Sequence, residues 1–214
     1  MALLTEQAEI FSEYALTPRE HTRYLPQMMD AVLQQARLNK TSLSHIAFAN
    51  GPGAFTGVRI AASTAQGLSI GLNCPLVAVS TLAVLAQHAV DTYHQQPVLA
   101  AIDARMGEAY VGSYLCDDKT GLVHSLREEQ LVKLAELETP EAFFLAGSGF
   151  HARREAGFRV PQNKQLDDQL LPHAQALVKL AAAAISKGDI DLTGSAKINY
   201  LRNQVAEKSR KKVL

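Results

Sequence analysis

The 214-residue sequence predicts an α/β protein built from two related halves. Short apolar runs of strand length alternate with segments long enough for helices. The order hairpin, helix, strand, glycine loop also occurs twice, with Gly51-Pro52-Gly53 in the first half and Gly147-Ser148-Gly149 in the second. His94-Gln95-Gln96-Pro97 marks a boundary between the two, giving halves of residues 1–96 and 97–214 that face each other across a cleft, with a return of the C-terminal segment to the first half as one option.

Each element has a local reason. Ala2 to Thr5 and Ala8 to Leu16 read as two strands joined at Glu6-Gln7. Thr17-Pro18-Arg19-Glu20 opens a helix that runs to about Leu38, with proline in the first turn. His45 to Ala49 is a buried-strand run, and Val58 to Leu72 is a helix for which Thr56 is the natural N-cap. Pro75 to Val79 is a strand, and Ser80 caps a helix that continues to about Val90. Beyond the boundary, Val98 to Ile102 and Ala109 to Leu115 form a hairpin, followed by a strand near Leu122 to Leu126. A helix is expected from Glu129 to Leu137 and a strand from Phe143 to Ala146. Gly157 to Leu170 reads as irregular, and Pro172 to Ser186 as an Ala/Leu helix.

The Asn50–Ile60 stretch joins a strand to a helix through Gly51, Gly53 and Gly57, with Thr56 and Arg59 at the helix start. Two roles fit it. Converging N–H groups at a helix N-terminus suit an anion, or the glycines simply let helix and sheet pack closely. It is no P-loop, because Val58 and Arg59 follow Gly57 where Lys and Ser or Thr are required. Nor is it a dinucleotide fingerprint: Thr56 replaces the third glycine, and Gly71-Leu72-Asn73 stands where an acid belongs.

With 21 basic and 21 acidic residues the net charge is zero, which argues against a protein that coats nucleic acid. The basic residues Lys197, Arg202, Lys208, Arg210, Lys211 and Lys212 nevertheless face a single acid, Glu207, in the last stretch. That segment is a solvated end or a nucleic-acid contact. Cys74 and Cys116 form no motif and point to a reducing compartment. No membrane span or signal peptide is readable, so the cytoplasm is expected.

Catalytic chemistry is thin. None of the seven histidines forms a His-x-x-x-His pair, and Leu25 stands four residues after His21, so no helical metal site is expected. Asp103, Arg105 and Glu108 cluster beside apolar strands, as an acid pair with an arginine clamp or as hairpin-turn residues. The first helix carries an apolar stripe of Tyr24, Leu25, Met28, Met29, Val32, Leu33 and Ala36, wider than one sheet contact requires. It is buried on two sides, or it faces both the sheet and a partner.

Four motifs carry a family resemblance: Arg19-Glu20-His21-Thr22, the run from Gly51 to Ile60, the run from Ala101 to Glu108, and Tyr200-Leu201-Arg202-Asn203. In order and spacing they resemble the TsaB (YeaZ) family. The resemblance implies the actin-like ATPase (ASKHA, ribonuclease-H-like) fold of two duplicated α/β halves. It implies a non-catalytic subunit, without cofactor or metal, needed for N6-threonylcarbamoyladenosine formation beside the anticodon of tRNAs reading codons that start with A. The catalytic subunit of that system is the paralogue TsaD, which carries the His-x-x-x-His site. TsaD is expected to bind through the first two helices, at Leu25, Met28, Met29, Val32, Leu33, Ala61, Ala62, Ala65 and Leu68. A homodimer forms when TsaD is absent, and the ATPase TsaE joins a larger complex. Contact with tRNA is indirect, through the basic tail. The competing classes are an ASKHA-type phosphotransferase or metallopeptidase, and a direct RNA binder.

The resemblance departs at one place. Family members begin with a strand and an Asp-Thr-Ala-Thr-like turn, whereas Met1 here leads straight into Ala2-Leu3-Leu4. The expected reason is a displaced start codon or a trimmed sequence, and restoring the strand is expected to raise the melting temperature by many degrees.

Overall fold

The computed structural model describes residues 1–16, 21–160, 165–190 and 195–202. The chain opens with an antiparallel hairpin, β1 (Ala2–Leu4) and β2 (Ile10–Ser12), in which Leu3 faces Phe11. Helix α1 (His21–Ala36) follows. The expected opening at Thr17, Pro18, Arg19 and Glu20 lies outside the described residues. Strand β3 (Ile46–Ala49), helix α2 (Phe55–Leu72) and strand β4 (Leu76–Val79) make a right-sized βαβ unit, with β3 and β4 parallel and Ile46 beside Leu76. Helix α3 (Thr81–Tyr93) completes the first half.

The second half comprises β5 (Val98–Arg105), β6 (Glu108–Cys116), β7 (Val123–Ser125), β8 (Gln130–Lys133), β9 (Phe144–Ala146), α4 (Ser148–Glu155), β10 (Leu166–Asp167) and α5 (Ala174–Ser186). Its sheet runs β10-β9-β5-β6-β7, with β8 also paired to β6. Strand β5 is central, antiparallel to β6 and parallel to β9. The first half instead holds two separate two-stranded pairs, β1-β2 and β3-β4.

The last helix of each half lies on the other half's strands. Leu82, Leu85, Ala86 and Ala89 of α3 are buried against Val98, Ala100, Tyr114, Phe144 and Ala146 of the second sheet. Ala176, Leu177 and Ala181 of α5 are buried with Val77 and Val79 of β4, and α5 also packs on β1 and β3. This exchange places a large share of the apolar burial, the main favourable term in folding, across the boundary at His94. Gln87 of α3 is fully buried yet satisfied. Its amide donates to Asp91 Oδ1 at 2.9 Å and Gly121 O at 3.0 Å and accepts from Val123 N at 2.9 Å.

The structure corrects four expectations. Glu129 to Leu137 is not a helix. Gln130–Lys133 pairs with Val111 to Glu108 of β6, and Leu134 and Leu137 are buried beyond it. Pairing across the sheet overrides the helix preference of Glu, Leu and Lys. Thr56 is not the cap of α2, because the helix begins at Phe55 with Ala54 at the cap position and no side-chain cap bond. The glycine loop of the second half is itself the start of a helix, α4, and β10 lies inside the stretch read as irregular. Ser80 does cap α3, accepting from the N–H groups of Leu82 and Ala83. Gly147 has φ +103°, and a Cβ there would sit 2.6 Å from Ala101 O and from Leu85, so no side chain fits between β9 and α4.

Candidate functional site

The glycine loop after β3 is filled from inside the chain. Gly51 takes φ +103°. Its N–H donates to Thr81 Oγ1 at 3.1 Å, and its carbonyl accepts from Thr81 N at 2.8 Å. The loop is met from the other side by the segment Ser195–Arg202. Asn199 N donates to Asn50 O at 2.8 Å, and Asn50 Nδ2 donates to Lys197 O at 3.5 Å. A Cβ on Gly51 would stand 2.9 Å from Asn199 O. Gly51 therefore answers to close packing, with its N–H engaged by Thr81 rather than free for an anion. Gly53 lies against Val58, and Gly57 has only Ala54 near it.

The 195–202 segment straps both halves together. Asn199 Nδ2 donates to Glu129 Oε2 at 3.2 Å. The other oxygen of Glu129 accepts from Tyr114 Oη at 2.6 Å and from Ser80 Oγ. Burial, and then the Glu129 charge, push the Tyr114 hydroxyl far above its ordinary value, so it remains a protonated donor. Ser80 thus caps α3 while holding Glu129. Arg202 reaches the β5–β6 turn, where it donates to Ala104 O at 3.1 Å, to Arg105 O at 3.4 Å and to Glu108.

That turn holds Asp103, Arg105 and Glu108. Asp103 accepts from Arg105 N at 2.8 Å and pairs with its guanidinium at 2.9 Å. Glu108 pairs with Arg202. The two carboxylates are committed to different cations, and Arg105 and Met106 both take positive φ in the turn. The cluster is turn chemistry and strap anchorage rather than an acid pair. Among the described residues no group of three or more His, Cys, Asp or Glu side chains is placed to hold a metal, and no helix is long and apolar enough to cross a membrane.

The helices divide the residues expected at the partner contact into buried and accessible ones. Val32 (3% exposed) and Leu33 (5%) are core residues packed with Leu3, and Met29 leans on the same cluster. Ala62 and Ala65 are buried with Ile46, Phe48 and Leu76, and Leu68 packs beside them. Val32, Leu33, Ala62 and Ala65 are unavailable for surface contact, because the same stripe that marks them as apolar is used to cover β1 and β3. Leu25, Met28, Met29, Ala61 and Leu68 stay half-buried. The outer face of α2 carries what sequence reading missed: Phe55 (50% exposed), Arg59, Ser63, Gly67 and Ile70 (71%) fall on one side. Spacings of three and four residues gave that signal. The basic residues from Lys208 onward lie outside the described residues.

Comparison with known proteins gives a consistent answer. Residues 7–207 match the family model described as TsaD, tRNA N6-adenosine threonylcarbamoyltransferase. The tRNA threonylcarbamoyladenosine biosynthesis protein TsaB of Escherichia coli is 33% identical over 210 residues, spanning 96% of this chain and 90% of that protein. The solved structure of YeaZ from Pseudomonas aeruginosa superposes with a TM-score of 0.84 at 37% identity, over 94% of this chain and 92% of the other. A second solved structure, described as similar to peptidase YeaZ from Pseudomonas aeruginosa, gives a TM-score of 0.85 at 39% identity, over 94% and 93%.

Proposed function

This chain belongs to the TsaB (YeaZ) family, and from that premise we propose that it serves threonylcarbamoyladenosine formation on tRNA as a non-catalytic subunit that binds and activates a TsaD-type transferase. The observation that carries the partner role is the outer face of α2. Ile70 and Phe55 are large, apolar and exposed, with Ser63 and Gly67 between them. Fifteen residues of helix span about 22 Å, and the thin middle of that face lets a second helix approach closely. Leu25 and Met28 on α1 are half-buried in the chain alone.

The chemistry is consistent with a non-catalytic role. Leu25 stands where a helical metal pair with His21 needs a second histidine. Glu129, Glu108 and Asp103 are each committed to internal donors or cations, and the glycine loop is occupied by Thr81 and Asn199. What the fold offers is a scaffold that exposes Phe55 and Ile70 on the outer side of α2.

The test is reconstitution from purified parts. With threonylcarbamoyl-adenylate and tRNA, the chain alone is expected to form no product, and its addition to the TsaD-type subunit of the same organism is expected to raise the rate. Product from the chain alone overturns the non-catalytic role. An unchanged rate overturns activation.

A further inference from the structure

Arg59 stands apart from the arginines of the chain that form ion pairs. Arg105, Arg154 and Arg202 each pair with a carboxylate, at Asp103, Asp168 and Glu108. Arg59 is exposed and has no carboxylate partner among the described residues. Its guanidinium is nonetheless held in place. It lies over the Phe55 ring, 3.7 Å from the centroid, and its Nε donates to Tyr200 Oη at 3.2 Å. The Tyr200 ring is 6.5 Å from that of Phe55. Tyr200 is fixed from both sides, through Asn199 on the glycine loop and Arg202 on the β5–β6 turn. Beside the cluster an open hollow of about 430 Å³ is lined by Phe55, Thr56, Arg59, Ile60, Ser63 and Thr64.

We propose that Phe55, Arg59 and Tyr200 form one preorganised anchor that receives an acidic side chain of the partner protein. This rests on the TsaD-type partner described above and names the chemistry of its contact. A stacked guanidinium whose Nε is already bonded presents its two remaining nitrogens as a planar fork, the geometry that suits a carboxylate. Side-chain ordering, a main entropic cost of binding, is already met in the free chain. Arginine and tyrosine at the centre of a surface patch are the residue types that dominate interface energetics. Because Tyr200 belongs to the strap, the partner surface is composite: α2 supplies two of the three residues, and the segment that closes the two halves supplies the third.

The experiment measures affinity by calorimetry between this chain and the TsaD-type subunit of the same organism. Arg59→Glu is expected to weaken binding about thirtyfold or more. Tyr200→Phe, which removes the Nε acceptor, weakens it less. Arg59→Lys fails to restore full affinity, because a lysine cannot stack and fork together. Lys187→Glu, a change of equal charge at the far end of α5, leaves affinity unchanged. Melting curves for the Arg59 variants stay at the wild-type value, because the side chain is exposed. A carboxylate-to-lysine change on the partner that rescues Arg59→Glu supports the proposal directly. If wild type binds and Arg59→Glu binds equally, the anchor is wrong while the partner role stands. If wild type does not bind, the partner role falls and the anchor with it. If Arg59→Glu keeps the subunit but loses an anticodon stem-loop, the anchor serves RNA phosphate and the proposal is overturned.

Discussion

His173 joins three parts of the molecule through one imidazole. Its Nδ1 accepts from Gln175 N at 3.3 Å as the N-cap of α5. Its ring stacks on Tyr14 at 5.3 Å and lies 5.1 Å from His88. Burial first, then the neighbouring His88 and the amino terminus, pull its pKa below the ordinary histidine value of 6.5. The sign follows from linkage. The unfolded chain takes up this proton before the folded one does, so stability is full above the unfolded value and is lost as pH falls below it. Protonation also removes the acceptor that caps the helix, an interaction of about 1 kcal/mol. The melting temperature is expected to fall as the pH drops below the ordinary histidine value of 6.5, and His173→Asn, which keeps a cap, is expected to flatten that fall. Parallel curves for the two proteins would remove His173 as the cause. None of this was legible from sequence, where His173 is one of seven unpaired histidines. Its partners, Tyr14 and His88, lie far from it along the chain.

At the scale of elements, the helices separate inward from outward residues sharply enough to test by substitution. Met28→Glu and Ile70→Glu are expected to abolish association in size exclusion with light scattering, at a cost of several kcal/mol for a charge in a desolvated contact. Their melting curves stay near wild type. Leu33→Ala is expected to do the reverse, losing about 2–5 kcal/mol of stability while the remaining folded protein still associates. A collapse of melting in Met28→Glu with association retained would place Met28 in the core. The apolar stripe on α1 was legible because 3.6-residue periodicity is local information. Which residues of that stripe met β1 was not, and Val32 and Leu33, expected in the partner contact, are core residues packed with Leu3. Gln130–Lys133 failed for the same reason. Its composition favours helix, and only its register with β6, Val111 opposite Gln130, makes it a strand. Ser80 succeeded because a cap acts over two and three residues.

The molecule as a whole is a pair of halves that exchange their last helices and are strapped by residues 195–202. The repeated order of elements holds only in part, because the helix expected between the second hairpin and β9 is strand β8. The strap was not legible, since Asn199 meets Asn50 and Glu129 across separations of 149 and 70 residues, although Tyr200 and Arg202 stood within a recognisable motif. The halves are unequally built. The second has a six-stranded sheet around β5, whereas the first has two pairs of strands covered by α5. Native-state hydrogen exchange is therefore expected to show the amides of β5 and β6 exchanging through global unfolding, and those of β1 and β2 through a cheaper local opening. Equal protection in both would show that the halves unfold as one unit.

The central claim, a non-catalytic subunit acting through the outer face of α2, is tested most directly by one titration. The rate of threonylcarbamoyladenosine formation by the TsaD-type subunit is followed as this chain is added, in wild-type and Ile70→Glu forms. The wild type is expected to raise the rate to a plateau at a fixed stoichiometry, and Ile70→Glu to need at least about a hundredfold more protein to approach it, the equivalent of about 2.8 kcal/mol or more of lost association. Superimposable curves for the two forms, or product formed before the TsaD-type subunit is present, would contradict it.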